Sequence, residues 1–231
     1  MSHTASHVVI GASRGIGNDL AKQLFEQNAG GTIVGTMRKA DESVLPKGVQ
    51  IESLDMTKQS SVDSCAAKFG AIDTLIVNAA MGSPDTMLGS DASLLSSYLE
   101  TNVVGTHRAV LAFLPALRKG KKKQIILLSS TSGSCDLQRN EPSGFQGPYS
   151  VSKTATNSLG IQYHNELKDE GFTVLLIHPG WVATDMGKQI NDGRGAKTTQ
   201  QSASDILKIL SNLKPEQSGS YLRETGEPLN W

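Results

Sequence analysis

The sequence predicts an α/β fold, a doubly wound parallel sheet covered by helices on both faces, and three observations carry that expectation. Short β-branched runs alternate with longer segments of helical period, the pattern of successive βαβ units. The first such run leads straight into a glycine-rich turn, Gly11-Ala12-Ser13-Arg14-Gly15-Ile16-Gly17. The 231 residues, 38% hydrophobic and 19% charged, are also enough chain for one large core, so a single domain over 1–231 is expected.

Strands are expected at about residues 7 to 11, 31 to 36, 49 to 54, 73 to 78, 123 to 129, 172 to 178 and 219 to 222. Val8, Val9 and Ile10 make the first, and the glycine turn after it opens a helix. The second ends at Thr36-Met37-Arg38-Lys39, the third is followed by Asp55-Met56, and the fourth closes on Asn78-Ala79-Ala80. In the helical segment that follows, Leu95, Leu99, Thr106, Ala109, Phe113 and Leu117 share one apolar stripe, and Asn102 falls on it as an inward polar residue. Ser130 comes directly after the fifth strand. Between Gly147 and Gly171 a further helix is marked by Pro148 in its first turn, by Leu159, Tyr163 and Leu167 at spacings of four, and by a glycine just past its end. The sixth strand leads to Pro179-Gly180. Ser132 to Gly147 and Gly187 to Gly195, rich in Gly, Ser and Pro, read as loops and candidate walls of a substrate site.

Composition removes several function classes. Lys plus Arg and Asp plus Glu both number 22, so no overall field draws nucleic acid or an anionic membrane. The basic run Lys119, Lys121, Lys122, Lys123 reads as a solvated loop. Two cysteines, Cys65 and Cys135, in so long a chain fit a reducing compartment, and a cytoplasmic location is expected. His3, His7, His107, His164 and His178 lack metal-ligand spacing, so no metal is expected. No apolar signal core precedes Val8, and no apolar run reaches membrane-spanning length.

Glycines at 11, 15 and 17 allow a tight turn and let a pyrophosphate approach the first amides of the next helix, although the same residues can make a turn and nothing more. Gly11-Ala12-Ser13-Arg14-Gly15 also matches the G-x-S-x-G elbow of serine hydrolases. That elbow takes part of its oxyanion hole from an earlier strand and loop, for which the ten residues before Gly11 leave no room. After the second strand, an NAD site would place a carboxylate on the ribose hydroxyls. Here stands Arg38, which with Arg14 can fork onto a 2′-phosphate, so NADP(H) is the expected cofactor. Tyr149 and Lys153, four apart at a helix start, project from one face, and an ammonium there would lower the phenol pKa from about 10.

Taken together, Gly11, Gly15, Gly17, Asn102, Ser130, Tyr149 and Lys153 resemble the short-chain dehydrogenase/reductase family over essentially the whole chain, with its Rossmann fold. The resemblance implies a catalytic tetrad of Asn102, Ser130, Tyr149 and Lys153. It also implies cofactor contacts from Gly11, Ser13, Arg14, Gly15, Ile16, Gly17, Arg38, Asp55, Met56, Asn78, Ala79, Ala80, Tyr149 and Lys153, and from Pro179, Gly180, Val182 and Thr184 after the sixth strand. In the implied reaction NADPH reduces a carbonyl, Ser130 holds the oxygen, Tyr149 protonates it, Lys153 bonds the ribose and tunes Tyr149, and the backbone at Asn102 positions a relay water. His178-Pro179-Gly180-Trp181-Val182-Ala183-Thr184-Asp185-Met186-Gly187 and Gly226-Glu227-Pro228-Leu229-Asn230-Trp231 are similar to the sniffer-like carbonyl reductases and C-factor proteins.

The chain departs from the family pattern at Ile10, usually Thr, at Val77, usually Asn, and at Ala80, usually Gly. Its Ser130 to Tyr149 separation of 19 is longer than the commonest one and makes Cys135 to Gln146 an expected substrate loop. The competing reading is an NADP-binding signalling or regulatory protein with little turnover, against which the intact tetrad speaks. Asn102 to Leu117 and Ser152 to Leu167 could pair with a second subunit to form a homodimer, or serve equally well inside one domain.

Overall fold

Aliphatic runs with no charge inside them can be buried on both faces, which is what a parallel sheet under two helix layers requires. In a computed structural model, which describes residues 5–28, 30–139, 147–189 and 193–231, the strands are His7–Ile10 (β1), Ile33–Met37 (β2), Gln50–Ser53 (β3), Thr74–Val77 (β4), Gln124–Leu128 (β5), Thr173–His178 (β6) and Ser220–Arg223 (β7). Every expected strand is present, with its ends displaced by no more than two residues. All seven pair in parallel in the order β3-β2-β1-β4-β5-β6-β7.

The helices are Gly15–Gln27 (α1), Gln59–Ala66 (α2), Ala92–Leu99 (α3), Gly105–Lys119 (α4), Cys135–Gln138 (α5), Gly147–Leu167 (α6) and Thr199–Ser211 (α7). Alternate strand residues serve opposite layers. Val8, Ile10, Leu75, Val77, Ile125 and Leu127 pack toward Phe113 and Leu117 of α4 and Tyr163 and Leu167 of α6. Val9, Ile76, Ile126, Leu175 and Ile177 pack toward Leu20 and Leu24 of α1 and Ile206 and Leu207 of α7. The strand order reverses between β1 and β4, where the loops leaving their carboxyl ends diverge and open a crevice.

One expectation needs correcting. The stripe from Leu95 to Leu117 does not lie on one uninterrupted α-helix: a five-residue π turn, Glu100–Val104, joins α3 to α4. The wider turn rotates what precedes it, so Leu95 and Leu99 are only half-buried while Tyr98 is fully enclosed. Beyond the π turn Thr106, Ala109, Phe113 and Leu117 face the core as expected. α6 ends as its sequence predicts, in a short 3-10 turn and then Gly171 at φ 80°. Residues 140–146 and 190–192, parts of the two expected loop walls, lie outside the described residues. Among the described residues no helix is long and apolar enough to cross a membrane, and no three His, Cys, Asp or Glu side chains cluster as a metal site would need.

Candidate active site

The crevice at the β1/β4 reversal is a cavity of about 1050 Å³. The glycine turn contributes Gly11, Ser13, Arg14, Gly15 and Ile16 to its wall, and the ends of β2, β3 and β4 contribute Arg38, Asp55, Met56, Asn78, Ala79 and Ala80. Ser130, Tyr149, Lys153, Pro179, Gly180, Val182 and Thr184 complete the far side. Of the residues singled out from the sequence, only Gly17 and Asn102 are absent from this wall, and both act behind it.

Gly17 is where the turn is closed. A Cβ there would stand 2.1 Å from the Gly11 carbonyl oxygen and 2.4 Å from Asn78 Nδ2, so no side chain fits. Asn78 Nδ2 donates to that carbonyl at 2.7 Å and ties the end of β4 to the turn. Arg14, the residue capping α1, makes no side-chain cap bond, and no acid stands in the helix's first turn. Among the described residues neither the cap nor the first turn of α1 offers its first amides an anion, which fits the diphosphate of a dinucleotide.

Around the expected adenosine end, Arg38 is exposed just past β2. The nearest following acid, Asp41, turns back on Ser43 at 2.6 Å instead of entering the cavity. Asp55 accepts from the Thr57 hydroxyl at 2.7 Å, and this bond, with the Thr57 amide and the Lys58 and Arg38 charges, holds its carboxyl below the usual range despite some burial. Arg14 is engaged elsewhere than expected: it pairs with Asp185 at 2.9 Å across the cavity mouth, with both side chains well exposed. To reach a phosphate it must exchange that partner.

The four expected catalytic residues converge from three elements, Tyr149 and Lys153 sharing α6. Ser130 caps the 3-10 turn Thr131–Gly133; its hydroxyl accepts from the Ser132 amide at 3.1 Å and donates to the Ser132 hydroxyl at 3.1 Å, on the same cavity wall as Tyr149. Lys153, one turn further along α6, donates to the Leu128 carbonyl at 2.6 Å and lies 5.7 Å from the Tyr149 ring centre. Asn102 is 1% exposed inside the π turn. Its Oδ1 accepts from the Met81 amide at 2.7 Å, and its Nδ2 donates to the Met81 carbonyl at 2.8 Å and to Ser152 Oγ at 2.9 Å. Ser152 in turn donates to the Tyr149 carbonyl at 2.7 Å, so Asn102 braces both the β4 loop and the start of α6.

One expectation about this quartet changes. Burial pushes the Tyr149 phenol up to about 12, although Ser130 opposes the shift. Lys153 does not offset it, because burial pulls the lysine itself down to about 8, leaving it uncharged where the phenol ionises. At Asn102 the carbonyl expected to hold a relay water accepts from the Thr106 hydroxyl at 2.7 Å and from Thr156 at 3.3 Å. Thr156 is closer to the Ser152 carbonyl, at 2.8 Å, so a water at Asn102 would displace the weaker of its two bonds.

With this geometry in place, comparison with known proteins is decisive, since residues 6–195 match the model of the short chain dehydrogenase family. The chain belongs to that family. A 1-hydroxy-2-glutathionyl-2-methyl-3-butene dehydrogenase of Rhodococcus sp. is 31% identical over 97% of this chain and 98% of its own. An uncharacterised oxidoreductase of Schizosaccharomyces pombe is 34% identical over 95% of both chains. Among solved structures, the NADPH-bound carbonyl reductase from chicken fatty liver superposes with a TM-score of 0.86 at 27% identity, covering 100% of both chains. The carbonyl reductase Sniffer of Drosophila melanogaster shares the fold, with a TM-score of 0.88 at 24% identity over 99% of this chain and 100% of its own.

Two of this dehydrogenase's departures from the family pattern are compensated by packing. Ile10 and Val77 are partners in the β1/β4 register and are 1% and 4% exposed in one apolar cluster, so an aliphatic contact stands where polar side chains would brace the strands. Ser13 is exposed on the cavity wall, and among the described residues no hydrogen bond joins it to a histidine; His107, His164 and His178 bond Tyr163, Ser218 and the Thr131 amide. Sequence reading missed the second rank of the site. Tyr98 donates to Asp85 at 2.7 Å and the Asp85 carbonyl accepts from the Gly147 amide at 2.8 Å, which anchors the start of α6. His178 and Tyr221 hold the segment at Ser130. No spacing signals these contacts, because each joins elements far apart in the chain.

Proposed function

We propose that this short-chain dehydrogenase is a cytosolic, NADPH-dependent carbonyl reductase whose whole length forms one cofactor-binding domain. The observation that carries the reading is Tyr149, Ser130 and Lys153 together on the wall of a cavity that also presents the N-terminus of α1. The diphosphate would rest on Gly11 to Gly17, the adenosine end among Arg38, Asp55-Met56 and Asn78-Ala79-Ala80, and the nicotinamide end among Pro179-Gly180, Val182 and Thr184. When bound, NADPH supplies the hydride.

The chain's own residues supply the rest. Ser130 Oγ holds the oxygen of a small ketone or aldehyde. The Tyr149 hydroxyl gives that oxygen its proton, and a phenol held up at about 12 keeps the proton until an alkoxide-like oxygen demands it. Lys153, largely protonated at neutral pH with its pKa near 8, is fixed by Leu128 beside the ring, where it can bond a ribose hydroxyl and counter a forming phenolate. Asn102 positions the loop after β4 and the start of α6 through Met81 and Ser152. The chicken reductase, which its structure shows with NADPH, supports the choice of cofactor and reaction class.

The test is a carbonyl library screened by NADPH absorbance beside Tyr149→Phe. Wild type should oxidise NADPH with at least one carbonyl, and Tyr149→Phe should lose a factor of about 10² to 10⁴ in turnover while still binding NADPH. Tight NADPH binding with no turnover across the library would favour the signalling reading. A fully active Tyr149→Phe would place the proton donor elsewhere.

A further inference from the structure

The peptide group joining Ser130 to Thr131 is held at both ends by side chains from two other strands. Its carbonyl, on Ser130, accepts from the Tyr221 hydroxyl of β7, and from the Gly133 amide at 2.8 Å. Its N–H, on Thr131, donates to His178 Nδ1 at the end of β6, at 3.2 Å. A planar peptide gripped at both its oxygen and its nitrogen cannot rotate about its flanking bonds. That rotation is what would swing the Ser130 Cα–Cβ bond, and with it the hydroxyl, away from Tyr149.

We propose that Tyr221 and His178 are positioning residues for catalysis, a two-sided clamp on the Ser130–Thr131 peptide that aims the Ser130 hydroxyl at the reacting oxygen. The inference rests on the reading of Ser130 as the hydroxyl that holds the substrate. Three features support the clamp. Tyr221 is 2% exposed, and its ring packs against Trp231 with centroids 5.2 Å apart, so its hydroxyl has a fixed direction. His178 must accept at Nδ1 and so carry its proton on Nε2, and burial, which lowers its pKa to about 4, keeps it in that neutral form. The same Trp231 accepts from the Asp136 amide at 3.0 Å at the start of α5, whose Gln138 lines the cavity, so the clamp is continuous with one wall of the substrate site.

Four variants test it: Tyr221→Phe, His178→Leu, His178→Asn, and the double variant Tyr221→Phe/His178→Leu. Tyr163→Phe is the control, since it removes another buried phenol hydroxyl, bonded to His107 at 2.6 Å away from the cavity wall. Tyr221→Phe and His178→Leu should each lower kcat about 10-fold, less than the roughly 10²-fold cost of a misplacement of about 1 Å, with NADPH affinity unchanged. His178→Asn keeps an acceptor near the Nδ1 position and should recover most of the loss. The double variant should fall short of the product of the singles, because either one alone frees the same peptide. In the cofactor-free protein, hydrogen exchange at the Thr131 amide should quicken about 10-fold in His178→Leu and stay unchanged in Tyr163→Phe. If Tyr149→Phe is inactive while Tyr221→Phe and His178→Leu match Tyr163→Phe in kcat and exchange, the clamp is refuted and the active-site reading stands. If Tyr149→Phe remains active, the reading of the site fails and takes the clamp with it.

Discussion

Asn102→Asp is a nearly isosteric change at a polar position of the site that is only 1% exposed. Its outcome follows from which partners donate and which accept. Oδ1 faces an amide, Met81 N–H at 2.7 Å, and a carboxylate oxygen serves there equally well. The Nδ2 position faces two oxygens, the Met81 carbonyl at 2.8 Å and Ser152 Oγ at 2.9 Å, and the Ser152 proton is already given to the Tyr149 carbonyl. An ionised oxygen would meet acceptors there, so the new carboxyl must stay protonated, and burial adds to the same demand.

Its folded pKa should therefore rise by about 3 units above the unfolded value of about 3.9. The folded state then binds more protons than the unfolded state, and stability is lost as pH rises from about 4 toward 7, at about 1.4 kcal/mol per unit. The deficit relative to wild type should be about 1.5 kcal/mol at pH 5 and about 4 kcal/mol at pH 8. Urea unfolding of both proteins at the two pH values measures it, and taking the difference cancels the wild type's own titrations. A deficit that is equal at pH 5 and pH 8 would refute the donor assignment at Asn102.

Arg38→Ala should remove most of a preference for NADPH over NADH of at least about 10-fold, the equivalent of a charge-assisted bond of about 1.5 to 3 kcal/mol, as fluorescence titration of the two cofactors would show. Lys153→Met should weaken NADPH binding and slow single-turnover reduction. Combined with Tyr149→Phe it should be scarcely slower than the worse single variant, since residues that act as a unit do not add. His7 and His178 are both held at about 4 by burial, below the ordinary 6.5, so the unfolded chain binds more protons between those values. Stability should thus fall as pH drops from about 6.5 to about 4, by at most about 1.4 kcal/mol per unit for each histidine. His7 Nδ1 is buried with no partner among the described residues, and His7→Leu, which removes the group that titrates, should flatten that slope, as urea midpoints across the range would reveal.

The sequence by itself determined the sheet and the wall of the cavity, because both depend on short-range signals. Aliphatic runs such as Ile125 to Leu128, too short for a helix and set between helical segments, read as buried strands, and Gly17 leaves room where the turn closes on the Gly11 carbonyl. Tyr149 and Lys153 were legible because four residues of helix bring two side chains to one face whatever surrounds them. Only the tertiary structure decided how those groups are tuned and held. Spacing cannot report desolvation, so it suggested a lowered Tyr149 pKa where enclosure raises it, and it could not show that Arg14 pairs with Asp185 at the cavity mouth. The π turn at Asn102 and the grip of Tyr221 and His178 on one peptide arise from contacts between elements distant in the chain. Such contacts leave no periodic trace, because packing across the sheet is what brings their partners together.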